Sequence, residues 1–278
     1  MSPAGLKIAF GLCLAFALLA ASLVGLGLLG AGSSRGAAAA TPAAQPQVHA
    51  AALASSPPSS DRPWRPTEPV ASLSQPPLHG PAFTIVRLRP GARIALRATP
   101  GGRLLTTVGD TTEFGSSRTF GVVRTHGSWL GVLAPELTNG SIGWIRFDPA
   151  KMERYWTKYS LSADLSEQTL ELRYGTTTIS THLVTVGGAG SETPVGRFAI
   201  TDGLAFDASP FYGCCAMVTS GHQPKLPIGW IGGDRIAIHG TAGPVGGAES
   251  HGCLRATAAT LHALMSRLPL GTPLFVNG

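Results

Sequence analysis

The chain has 278 residues and a formal charge of +6, with 44% hydrophobic but only 13% charged residues. That length supports one or two domains with cores of their own. The basic balance suits an anionic surface, but there is no Lys/Arg run and no aromatic–basic strand motif, so nucleic acid is not an expected partner.

In chain order, Lys7 precedes an apolar run from Ile8 to about Ala31, long enough to cross a bilayer. We read residues 1–32 as a membrane anchor, with a cleaved signal peptide as the alternative; either way the bulk of the chain is expected outside the cytoplasm. Residues 33–82, rich in Ala, Pro and Ser, cannot bury a core and read as a disordered linker. From Phe83 the pattern changes to short β-like runs: Phe83–Val86, Ile94–Arg97, Thr119–Val123, Trp129–Leu133 and Ile142–Ile145. Gly, Pro and Asn139-Gly140 separate them. Residues 83–150 therefore predict a small β-barrel. The pattern Trp129-Leu130-Gly131-Val132 … Gly143-Trp144-Ile145 resembles a bacterial SH3-like domain, which implies either wall or partner binding or a spacer.

Lys151 to Lys158 predicts a polar connector with a helical turn. A second β-rich region begins at Tyr159, with strands over Leu170–Tyr174, Ile179–Val186, Arg197–Ile200 and Ile236–Ile238. Asp202 to Gly233 reads as a long irregular segment. After Cys253 the period changes: Leu261, Leu264, Met265 and Leu268 follow i, i+3, i+4, i+7, so a short helix capped by Thr257 is expected. Thr272–Val276 reads as a closing strand.

The chemistry concentrates in Ile238-His239-Gly240-Thr241 and Ser250-His251-Gly252-Cys253-Leu254-Arg255. A cysteine thiol needs a base within reach and donors for the oxyanion it creates. Cys253 is the expected nucleophile. His239, mounted at a strand end, is the expected base, with His251 the rival and pocket-lining residue. A nearby imidazolium and the N-terminus of the helix are expected to lower the thiol pKa. No acidic third member of a triad stands out; Glu249 or a backbone carbonyl is left to orient the imidazole. Zinc held by His239, His251 and Cys253 with Cys214 or Cys215 is disfavoured by the spacing, and no metal is expected. Adjacent Cys214 and Cys215 are not expected to bridge to each other.

These motifs resemble the L,D-transpeptidase (YkuD-type) catalytic domain over residues 158–278, supported by Thr193-Pro194-Val195-Gly196-Arg197-Phe198 and Gly271-Thr272-Pro273. The resemblance implies a mainly β fold with one short helix after the catalytic cysteine. It also implies a cofactor-free cysteine acyltransferase acting on peptidoglycan. Cys253 would form a thioester with a tetrapeptide stem and pass it to an amine, giving a 3→3 crosslink. Gly252, His251, Ser250, Arg255 and Gly240 would serve substrate or oxyanion. The alternatives are an L,D-carboxypeptidase, with water as acceptor, and a non-catalytic wall-binding protein. The short loop between His239 and Ser250, and the Cys214-Cys215 segment, depart from the family's commoner pattern.

Overall fold

The computed structural model describes residues 82–209, 211–230 and 233–278. The expected anchor and nearly all of the expected linker lie outside them. The described chain is mainly β with a single short helix.

Seven strands form the first sheet: β1 (Phe83–Leu88), β2 (Ile94–Arg97), β3 (Leu104–Val108), β4 (Thr119–His126), β5 (Trp129–Val132), β6 (Gly143–Arg146) and β7 (Met152–Thr157). Their spatial order is β3-β2-β6-β5-β4-β1-β7, antiparallel throughout. Alternation drives one face inward, so Val86, Leu88, Leu96, Phe120, Leu130, Val132 and Ile145 make a separate core. Each such side chain removed from water contributes roughly 1.5–3 kcal/mol. The expected connector at 151–158 is instead β7, paired with β1 along its whole length. Met152, Tyr155 and Thr157 are buried, and the intervening charges of Glu153 and Arg154 hide the strand pattern.

The second sheet is mixed. It comprises β8 (Tyr159–Asp164), β9 (Thr169–Tyr174), β10 (Thr177–Leu183), β12 (Gly196–Ser209), β13 (Gly213–His222), β14 (Arg235–Gly240), β16 (Leu254–Ala256) and β17 (Pro273–Asn277), ordered β10-β9-β8-β17-β12-β13-β14-β16. Short β11 (Val186–Gly187) and β15 (Ala248–Ser250) pair separately. Helix α1 (Ala258–Met265) starts where expected: the Thr257 side chain accepts from the Thr260 amide at 3.2 Å, and Leu261, Leu264 and Met265 are buried. The segment expected to be irregular from Asp202 is mostly the β12–β13 hairpin. Its glycines, alanines and cysteines carry little β signal of their own, and pairing with β14 and β17 supplies what propensity does not.

The two sheets approach closely at two glycines. A Cβ on Gly271, whose φ is +88°, would lie 2.7 Å from Ile85 Cγ2, and one on Gly121 would lie 2.9 Å from the Gly271 carbonyl oxygen. Phe83 and Phe275 meet beside them with ring centroids 6.1 Å apart, and Arg197 lies over both rings.

Candidate active site

The register of three neighbouring strands builds the site. In the antiparallel pair, Ala216 faces His239 and Val218 faces Ala237. In the parallel pair, Ile238 aligns with Leu254 and His239 with Arg255. Alternate residues share a face, so Ala216, Val218, Ala237, His239 and Arg255 lie together. One step back from Leu254, Cys253 falls opposite Ala237 on that same face, diagonal to His239. Cys253 accordingly packs on Leu204, Ala216, Val218 and Ala237. The opposite face, with Met217, Ile238 and Leu254, belongs to the core that α1 covers.

His239 is buried, and burial holds its pKa down to about 4; Arg255 pulls the same way, while the backbone bond to Gly240 opposes. Its Nδ1 lies 2.8 Å from the Gly240 carbonyl oxygen. A carbonyl only accepts, so Nδ1 carries the proton and Nε2 keeps a free lone pair. The orienting role left between Glu249 and a carbonyl thus falls to Gly240, and Glu249 is exposed. Tyr212 packs edge-on against the imidazole, with centroids 5.1 Å apart. Burial, and then the charge of a Cys253 thiolate, push the Tyr212 phenol up to about 12.

Cys253 is half-buried, and burial pushes its thiol pKa up, against smaller downward pulls from the Ala237 backbone and Arg255. The resting pair is therefore neutral thiol and neutral imidazole. The expected imidazolium is absent because the same burial that raises one group lowers the other. The expected help from the helix is also corrected. Strand β16 separates Cys253 from α1, and a three-residue strand spans about 10 Å, beyond the first-turn reach of a helix dipole.

The turn before Cys253 is tightly specified. Ser250 is buried; its Oγ donates to the Cys253 carbonyl at 2.5 Å and accepts from the Gly252 amide at 3.1 Å. Gly252, expected to offer that amide to an oxyanion, has it engaged. Its φ is +109°, and a Cβ there would lie 2.1 Å from Gln223 Nε2. That buried amide donates to the carbonyls of Ser191, Glu192 and His251 at 3.0, 3.1 and 3.2 Å, tying three chain segments together. Gln223 went unmarked in the sequence because it sits in the stretch read as irregular. His251 is exposed with its ring 5.1 Å from that of Trp230, apart from the buried His239.

Cys214 and Cys215, at the start of β13, are joined by a disulfide with an S–S distance of 2.13 Å. This corrects the expectation that neighbours would not bridge. The pair follows Gly213, whose φ is +60°, at the hairpin turn, where the chain departs from regular strand geometry. His262 lies near both sulfurs, and these three form the one metal-like grouping among the described residues. The set of His239, His251 and Cys253 is not brought together as ligands.

Residues 158–276 match the family described as the L,D-transpeptidase catalytic domain, YkuD. No curated protein matches the chain. Among solved structures, it is similar to Bd1075 of Bdellovibrio bacteriovorus (20% identity over 44% of this chain and 48% of that one, TM-score 0.35). It is also similar to an L,D-transpeptidase from Stackebrandtia nassauensis (22%, 44% and 56%, 0.33) and to one from Xylanimonas cellulosilytica (21%, 44% and 61%, 0.33). The chain spans about half the length of these structures.

Proposed function

We propose, taking the match of residues 158–276 to the L,D-transpeptidase catalytic domain as premise, that this chain is a peptidoglycan L,D-transpeptidase with Cys253 as nucleophile and His239 as base. The observation that carries it is the β14–β16 register, which gives a thiol and a neutral imidazole a common half-buried face. Cys253 Sγ attacks the carbonyl of the third residue of a tetrapeptide stem as His239 Nε2 takes the thiol proton. The Cys253 amide holds the oxyanion, and Ser250 and Gly252 hold the turn that aims it. When the tetrahedral adduct collapses, the terminal D-alanine leaves with the proton from His239 and a thioester remains. A side-chain amine of a second stem then attacks the thioester, gives its proton to His239, and restores the thiol as the 3→3 amide forms.

General-base transfer within the attack suits this pair better than a preformed ion pair. Burial penalises both charged forms, and a proton moving between two neighbours leaves the net charge of the site unchanged. Arg255, on the same face, meets a substrate carboxylate. In this proposal the chain works outside the cytoplasm, held at the membrane by residues 8–31, and the first sheet, read as SH3-like, serves as a wall-facing module or as a spacer.

The test is intact-mass measurement of the purified chain with a carbapenem. One adduct is expected on the unaltered protein and none on Cys253→Ala. With tetrapeptide stems, crosslinked dimer and free D-alanine are expected together. Tripeptide without dimer makes water the acceptor, and an adduct that survives Cys253→Ala refutes the assignment of the nucleophile.

A further inference from the structure

The loop between β3 and β4 leaves its own sheet and reaches the Cys253 face of the other. The Thr112 hydroxyl donates to the buried Asp202 carboxylate. Glu113 pairs with Arg235, whose carbonyl oxygen is 4.0 Å from Cys253 Sγ. Phe114 packs on the same four buried residues as Cys253 and lies under the Arg235 guanidinium, 5.8 Å away. A cavity of about 380 Å³ opens there, lined by Glu113, Phe114 and Pro135 from the first sheet's module and by His222, Asp234 and Arg235 from the second.

The charges in this cavity are unevenly exposed. Arg235 is 7% exposed and spent on Glu113, on the Thr219 carbonyl and on Thr201 Oγ1. Both ring nitrogens of His222 are engaged, one by Asp234 and one by the Pro135 carbonyl. The carboxylates of Glu113 and Asp234 stay about half exposed, at 48% and 49%. Each carboxylate is itself paired, Glu113 with Arg235 and Asp234 with the His222 ring, so a ligand entering here meets their half-exposed oxygens beside an apolar ring.

We propose that Glu113 and Phe114, contributed by the first sheet's module, are specificity residues of the Cys253 site, and that the junction cavity receives the amine-bearing part of a stem peptide. This rests on the acyl-transfer function proposed above. It makes the first module part of the substrate cleft. The carboxylates attract and orient an ammonium group, and Phe114 lies along the aliphatic chain that carries it. An amine on the acyl donor and an amine on the acceptor share this chemistry.

The experiment uses the full chain, Glu113→Gln and Phe114→Ala. Three rates are measured: acylation of Cys253 by a carbapenem, acylation by a tetrapeptide with a free side-chain amine, and transfer from the acyl-enzyme to an amine-bearing acceptor. Thermal melting reports that each variant is folded, and the carbapenem rate is the reference against which each variant's peptide rates are scaled. One peptide step is expected to fall about tenfold or more in both variants. Loss in the first step assigns the donor amine, and loss in the second assigns the acceptor. Acetylating the donor stem's side-chain amine, which takes no part in bond formation, should slow the first step of the unaltered protein by a similar factor and add little in Glu113→Gln, a coupling that a purely structural role for Glu113 does not produce. Unchanged peptide rates in both variants, or acetylation effects that simply multiply, overturn the proposal. An unaltered protein inert to the carbapenem removes the acyl-transfer premise itself, and this proposal with it.

Discussion

The ionisation of His239 has two consequences that separate cleanly. Its folded pKa is about 4 against 6.5 in the unfolded chain. As pH falls from 6.5 towards 4 the unfolded state takes up a proton that the folded state refuses, so stability drops across that window and not below it. The loss from this residue is on the order of 3 kcal/mol. Urea titrations at a series of pH values should show it, and His239→Asn should remove that share of the slope. Under the proposed function, the acid limb of carbapenem acylation is expected near pH 4, where this imidazole takes up its proton; a limb near 6.5 means the ring is solvated. Gly252→Ala tests the turn. A left-handed backbone and a Cβ against Gln223 Nε2 should cost roughly 1–3 kcal/mol and depress acylation with it, read by thermal melting and adduct formation. The candidate residues stood out because most of them cluster in one short motif around Cys253. Gln223 was not, since its importance lies in three carbonyls contributed by distant segments.

Among the elements, α1 was the easiest to read, because four apolar positions at helical spacing follow a capping threonine. Strands β7 and β13 were the hardest. The inward residues of β7 alternate with charges that belong to its exposed face, and its true partner, β1, lies more than sixty residues away in sequence. The glycines, alanines and cysteines of β13 gain strand geometry only between two neighbours. That central position is what sets Ala216 opposite His239, so the element least visible in the sequence fixes where that imidazole stands. The β3–β4 loop has an energetic role as well. Asp202 is fully buried, and its Oδ2 has no hydrogen-bond partner among the described residues, which leaves Oδ1 to the Thr112 hydroxyl. Thr112→Val should therefore destabilise the protein by roughly 1–3 kcal/mol, measured as a shift in the urea midpoint at constant slope.

At the scale of the molecule, the two sheets meet closely at Gly121 and Gly271. Gly271 has both a positive φ and no space for a side chain beyond its own backbone. Gly271→Ala should thus cost roughly 1–3 kcal/mol from backbone strain alone, and unfolding followed separately by tryptophan fluorescence and by circular dichroism should shift together. Composition foretold two β-rich regions but not their union, since the residues that join them, Thr112, Glu113, Asn139 and Gly271, form no pattern along the chain.

The Cys214–Cys215 link also governs how the protein is handled at the bench. With those sulfurs joined, Cys253 is the single free cysteine among the described residues. An aromatic disulfide reagent added to material kept free of dithiothreitol reports on it, together with any contribution from Cys13 in the N-terminal segment. Routine reductant, often included to protect a reactive cysteine, opens the ring, adds two competing groups to the count and blurs any stoichiometry drawn from it.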